Sequence, residues 1–181
     1  MQLIAVNFMM QAVVLDEIGN MEERLTKRVS ESTINDSLYM IQPNDLNYLG
    51  TIFGGTVMAE SDKIAAIVAK IHCRQTCVTA SVDAFRFLAP AYVGEVLVFK
   101  ASVNRVWNTS LEVGVKVFAK NTLTGESRHI VSAYFTFVPI DETRKPISAK
   151  YGLLPETEEE KRRWREADDR RKRRLLERGK K

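Results

Sequence analysis

The order of residue patterns predicts an α+β domain, one long helix beside a mostly antiparallel sheet. Three observations carry this. A single helical pattern runs from residue 56 to about 71, directly after Gly54-Gly55. Four segments rich in Val, Phe, Thr and Tyr follow it, each closed by turn residues. The chain has 181 residues, 45% of them hydrophobic and 28% charged, which suits one globular domain with tails. No internal repeat is visible.

Residues 29–41 carry β-branched and aromatic side chains and read as a strand. Residues 42–51 form a polar loop with Pro43, Asn44, Asp45, Asn47 and Gly50. In the helix, Glu60, Lys63, Lys70 and Arg74 share a polar face, while Val57, Met58, Ile64, Ala65, Val68, Ala69 and Ile71 make the rest apolar. A buried central helix follows. The four later strands are expected at 77–87, 96–107, 111–120 and 129–139. Pro90 with Gly94, Asn108-Thr109, and Asn121-Thr122 with Gly125-Glu126 separate them.

The formal net charge is +4. Residues 156–181 hold 12 basic and 8 acidic side chains, so the whole excess lies there and residues 1–155 are neutral. A basic field is therefore no property of the main body. The tail places Glu156–Glu160 before its basic residues, which suits a helix dipole, and it carries acid-before-base pairs four apart such as Glu158/Arg162 and Glu166/Arg170. Trp164 and Leu175 make only a thin apolar stripe, so a mainly solvated helix is expected.

Two cysteines, Cys73 and Cys77, cannot build a disulfide framework, and with no targeting signal evident a reduced, cytoplasmic setting is expected. His72 lies beside them, but a structural zinc site usually wants four N/S ligands, so no metal is expected. The N-terminus is apolar from Leu3 to Leu15, too short to span a bilayer. It reads as an extra helical turn or two, or as sequence ahead of a start at Met21.

The chemistry concentrates between Asn47 and Asp62. Asp62 sits among apolar and small neighbours, with Met58 and Ala66 one turn away on either side. An acid there must be paired or must face a wet cleft. It is a satisfied carboxylate on one reading and a general base on the other. Gly54-Gly55 at the helix start admits close approach to free N–H groups, which suit a developing oxyanion, or simply makes a tight turn. Asn47 offers an amide from the preceding loop, or is a turn residue. By alternation Cys77, Thr79, Ser81, Asp83, Phe85 and Phe87 share one face of their strand. Thr79 and Ser81 could line a site; Phe85 and Phe87 read first as core. Arg86, Arg105, Lys116 and Lys120 are possible phosphate partners.

The segment N-Y-L-G-T-I-F-G-G-T-V-M-A-E-S-D, followed by V-T-A-S-V-D-A-F-R-F-L-A-P-A-Y-V-G-E, resembles the hot-dog acyl-CoA thioesterases with an N-x-x-G-x-x-F-G-G-x-x-M-x-x-x-D helix entry. V-W-N-T-S-L-E-V-G-V and A-Y-F-T-F-V-P-I-D resemble their remaining strands. The likeness covers about residues 28–145 and divides the chain into an extension (1–27), a hot-dog domain (28–150) and a charged tail (151–181).

The resemblance implies a central helix wrapped by a curved antiparallel sheet, in protomers that pair as homodimers with active sites at the interface and assemble as hexamers, trimers of dimers. It implies hydrolysis of acyl-CoA to a free acid and CoA, with no cofactor beyond the CoA of the substrate, and no membrane. Asp62 takes the place of the catalytic carboxylate, as base or nucleophile, and Asn47 that of its partner from the opposite subunit. The backbone of Gly54, Gly55 and Thr56 takes the place of the oxyanion donors. Thr79, Ser81, Phe87 and Ser110 fall at lining positions. A second reading is an acyl-CoA-sensing module without catalysis, whose basic tail contacts nucleic acid. A third, a hydratase, wants a histidine beside the acid, and His72 lies too late in the helix.

Overall fold

The computed structural model describes residues 24–178; the expectations for residues 1–23 lie outside them. Chain order is β1 (Thr26–Arg28), a 3-10 turn (Val29–Glu31), β2 (Ile34–Met40), a 3-10 turn (Pro43–Asp45), α1 (Gly54–Cys73), β3 (Thr76–Phe87), β4 (Glu95–Val106), β5 (Leu111–Asn121), β6 (Ser127–Ile140), β7 (Gly152–Leu154) and α2 (Glu158–Arg178). Five strands form an antiparallel sheet in the order β2-β4-β5-β6-β3, and β1 pairs with β7 in a parallel two-stranded ribbon. That ribbon ties residues 26–28 to residues 152–154, across both expected domain boundaries.

Helix α1 forms because 20 residues pass without a proline and its small and aliphatic side chains fall on one side. Val57, Ile64, Ala65, Val68 and Ala69 are buried there. They meet the sheet rows Val103–Val113–Phe135, Ala101–Val115–Ala133 and Phe99–Val117–Val131, each in register across β4, β5 and β6 and buried. The helix stops at Arg74, which adopts the left-handed conformation at φ 51°. Lys27 then caps the open carbonyls of Ile71 and His72, at 2.8 and 2.7 Å.

Two expectations fail. The strand expected from residue 29 begins only at Ile34, because Val29–Glu31 turn as a 3-10 helix closed by the Ser32 N–H on the Val29 carbonyl. The larger departure is the tail. Helix α2 lies on the outer face of the sheet, opposite α1, with Ala167 fully buried. Arg170 donates from Nε and Nη2 to Glu112 at 3.0 and 2.7 Å and stacks 3.7 Å from the Tyr134 ring. Arg105 and the Trp107 indole both donate to Asp168, Arg163 donates to Ser102, and Arg174 pairs with Asp83. Charged side chains, rather than an apolar stripe, dock the helix. Burial pulls the Arg170 guanidinium down, but its bond to Glu112 and the charge of that carboxylate more than offset this and raise it. Beneath it, Asn104 donates to Glu112 at 2.9 Å, and the lack of a side chain at Gly114 leaves room for the Asn104 amide.

Candidate active site

Loop residues 42–53 deliver the chain to the N-terminus of α1. Asp45 holds that loop: its carboxylate accepts from Tyr39 OH at 2.8 Å and from the Gln42 N–H at 2.8 Å, and its carbonyl accepts from the Phe53 N–H at 2.7 Å. The bond to Asp45, with burial, pushes the Tyr39 phenol up to about 12.

At the helix start, the Thr56 and Val57 N–H groups both reach the Phe53 carbonyl, at 3.0 and 3.4 Å. The Thr56 N–H, one of the three expected donors, is thus already bonded within the protomer. Among the described residues nothing accepts from the Gly54 and Gly55 N–H groups. They are the open end of the helix dipole. A Cβ at Gly54 would stand 3.0 Å from Phe87 Cζ, and one at Gly55 would enter the Phe53 ring. At both positions a side chain would push aside a half-exposed aromatic ring that now lies against the backbone.

Asp62 lies two turns further along. Its Oδ1 accepts from Thr79 Oγ1 at 2.7 Å, which joins α1 to β3 at the site. No side chain among the described residues donates to Oδ2. Thr79, expected at most to line the site, is the residue that touches the carboxylate. Asn47 shapes its own loop: Nδ2 donates to Thr51 Oγ1 at 2.8 Å, and Oδ1 accepts from the Leu49 and Thr51 N–H groups at 2.9 and 3.3 Å. One Nδ2 hydrogen is left over. No hydrogen bond joins Asn47 to Asp62 within the protomer.

Strand β3 does not alternate simply. Bulges between Thr79 and Ser81 and between Val82 and Ala84 reset its register against β6. Thr79 opposes Phe137 of the core, whereas Ser81 opposes Thr136 and bonds to Asp83 at 3.3 Å on the outer face. Ser81 is thus turned away from Asp62, contrary to the alternation. Phe85 and Phe87 return to the inner face. Phe87 is 54% exposed rather than core, and with Phe85, Phe135 and Phe137 it forms an aromatic row leading from the α1 N-terminus into the buried interior. Ser110 is fully buried in the β4–β5 turn. Of the possible phosphate partners, Arg105 is committed to Asp168 and to stacking 3.5 Å from the Trp164 ring.

His72 is fully buried, its Nδ1 3.2 Å from Ser32 Oγ, and burial beside the Lys27 charge pushes it down to about 4. It lies at the far end of α1 from Gly54. Cys73 and Cys77 are buried and unbridged. Among the described residues no cluster of His, Cys, Asp and Glu could hold a metal, and no helix is long and apolar enough to cross a membrane.

The thioesterase superfamily model matches residues 49–126. The uncharacterized acyl-CoA thioester hydrolase YkhA of Bacillus subtilis is 40% identical over 118 residues, 65% of this chain and 68% of its own. The chain spans from a quarter to about seven-tenths of the length of the curated relatives it matches. An apo-hexameric acyl-CoA thioesterase superposes with a TM-score of 0.79 and 39% identity, covering 83% of this chain and 97% of that one. The Staphylococcus aureus acyl-CoA hydrolase, solved with butyryl-CoA, CoA and CoA disulfide, gives a TM-score of 0.79 and 35% identity over 86% of this chain and 93% of its own. That enzyme has also been solved with alanine in place of an asparagine, an aspartate or a threonine. Those three positions lie 15 and 17 residues apart in its chain, the separations of Asn47, Asp62 and Thr79 here. With a five-stranded antiparallel sheet packed on one long helix, the chain belongs to the thioesterase superfamily and has the hot-dog fold of its acyl-CoA thioester hydrolases.

Proposed function

We propose that the protein hydrolyses acyl-CoA thioesters at Asp62. The observation that carries this is the 2.7 Å bond between Thr79 and Asp62, beside the two unpartnered N–H groups of Gly54 and Gly55. Thr79 fixes one carboxylate oxygen by a charge-assisted bond and leaves Oδ2 to accept from a water. As that water attacks the thioester carbon, its proton passes to Asp62. The carbonyl oxygen becomes an oxyanion facing the Gly54 and Gly55 amides. Collapse breaks the C–S bond, the Asp62 proton goes to the leaving thiolate, and a free acid and CoA result. The row from Phe87 inward suits the acyl chain.

The spare Asn47 hydrogen would serve the site of a neighbouring protomer. Strand β3 is a sheet edge of 12 residues, and Val82, Phe87 and Leu88 are exposed on or beside it. A second copy pairing along this edge would bury them and close the site; three such dimers make the hexamer. Thiol release from a chain-length panel of acyl-CoAs tests the reading. Asp62→Ala is expected to lower kcat by about 10²–10⁴-fold, with fold and oligomer size unchanged. An Asp62→Ala protein of undiminished turnover removes the assignment.

A further inference from the structure

The outer face of the sheet carries a second polar concavity, unrelated to Asp62. It is a cleft of about 650 Å³ between β3 and the last turns of α2, and Arg86, Arg170, Arg173 and Arg174 line it, with Asp83 and Glu177. Two of these arginines are committed in part: Arg170 to Glu112 and Arg174, through Nη1 alone, to Asp83. Arg86 and Arg173 are exposed and form no ion pair among the described residues.

Arg174 is the telling group. It is 8% exposed, and its Nε and Nη2 are buried with no acceptor. A guanidinium offers five donors in a rigid fork, and leaving buried donors unmet is costly. The two serine hydroxyls that line the cleft are engaged elsewhere: Ser81 is bonded to Asp83 and Ser132 to His129. Asp83 is itself shared with Thr136. The cleft therefore presents more donors and positive charge than its own acids satisfy.

We propose that this cleft is an anion site for a phosphate-bearing ligand. Phosphate oxygens would accept from the exposed guanidinium groups of Arg86 and Arg173 on the two walls, above the charge of the buried Arg174. Forked guanidinium donors match phosphate geometry. The site lies on the opposite side of the sheet from Thr79, although Val82 and Leu88 on its rim also belong to the edge proposed for the dimer. The phosphate could be free or could belong to a bound CoA, and the two sources separate experimentally.

The test is direct binding by calorimetry and thermal shift on the full-length protein, with sodium pyrophosphate as the probe and sodium chloride at matched ionic strength as the control. Pyrophosphate is expected to raise the melting temperature beyond chloride. In the Arg86→Ala/Arg173→Ala double variant, half-saturation should move at least tenfold higher, while Arg165→Ala, on the exposed side of α2, leaves it in place. A shift no larger than that of chloride, or one undiminished in the double variant, overturns the proposal. Where the site is upheld, KM values for acyl-CoA and acyl-dephospho-CoA name its source. A KM raised in the double variant for acyl-CoA alone assigns the site to the 3′-phosphate of the substrate, and one raised for both assigns it to the diphosphate; unchanged values for both assign a separate ligand.

Discussion

Replacing Thr79 by valine removes one hydroxyl and keeps the β-branched shape. The structure gives that hydroxyl a single duty, a 2.7 Å donation to Asp62 Oδ1. Hydrogen bonds to charged groups contribute about 1.5–3 kcal/mol when dry, and less where water can replace the donor. Thr79 is exposed in the protomer, so about 1–2 kcal/mol is the appropriate range, and about 5–30-fold is the expected loss in kcat/KM. The loss should fall on kcat, because Thr79 holds the carboxylate rather than the substrate. Thr79→Ser restores the donor and should recover most of it. Thiol release at saturating and limiting acyl-CoA separates the two terms. A Thr79→Val enzyme within twofold of the parent, or a Thr79→Ser enzyme no better than the valine variant, refutes the role. So does a full Thr79→Val effect persisting in an Asp62→Asn background, since the hydroxyl would then act elsewhere.

Two predictions concern the frame around the site. Arg170→Met keeps the apolar stem but strands the Glu112 carboxylate, whose side chain is fully buried. Breaking such a pair costs about 3–5 kcal/mol, or about 6–20 °C in Tm for a chain of this size, whereas Arg165→Met on the exposed side should change denaturant stability by less than about 0.5 kcal/mol. Equal values for the two variants would show that α2 is not docked by this pair. His72 supplies a pH dependence. Its folded pKa, about 4, lies below the ordinary value of 6.5. Below pH 6.5 the unfolded chain takes the proton and the folded one does not, so stability is complete above 6.5 and falls as pH drops toward 4, by about 3 kcal/mol for this group. Urea titrations at pH 7 and pH 5 should show a smaller difference in His72→Gln than in the parent, and equal differences would contradict the burial argument.

The parts of the fold legible in the sequence are those written as periodicity. The α1 pattern and the four Val-rich strands each fall within two residues of their observed ends, because burial on one face imposes a repeat. What was not legible depends on partners far along the chain. The bulges in β3 add no signature residue, yet they turn Ser81 outward and keep Thr79 inward. The tail carries only a thin apolar stripe, and by composition that is a mainly solvated helix. It packs because Asp83 and Glu112, 91 and 58 residues away from their arginines, wait on the outer face of the sheet. The candidate site at Asp62 and Gly54-Gly55 was reached through the resemblance of the whole segment, because each residue taken alone also had an ordinary structural reading. The role of Thr79 was not, since a strand threonine is ordinary until its neighbour is known.

Strand β3 connects these observations. Within five residues it gives Thr79 to Asp62 on the inner face and Asp83 to Arg174 on the outer face. The reversal requires the two bulges, each of which leaves a residue unpaired and locally disrupts the ladder. Asp83 sits in the second bulge, and three groups hold it there: Ser81, Thr136 and Arg174. The C-terminal helix is thus fastened to the same irregularity that sets the direction of Thr79. Within the protomer the strand is also an edge of the sheet. Side-chain clamps from α2 hold this edge strand from the outer face and leave its backbone edge open for the second copy proposed above.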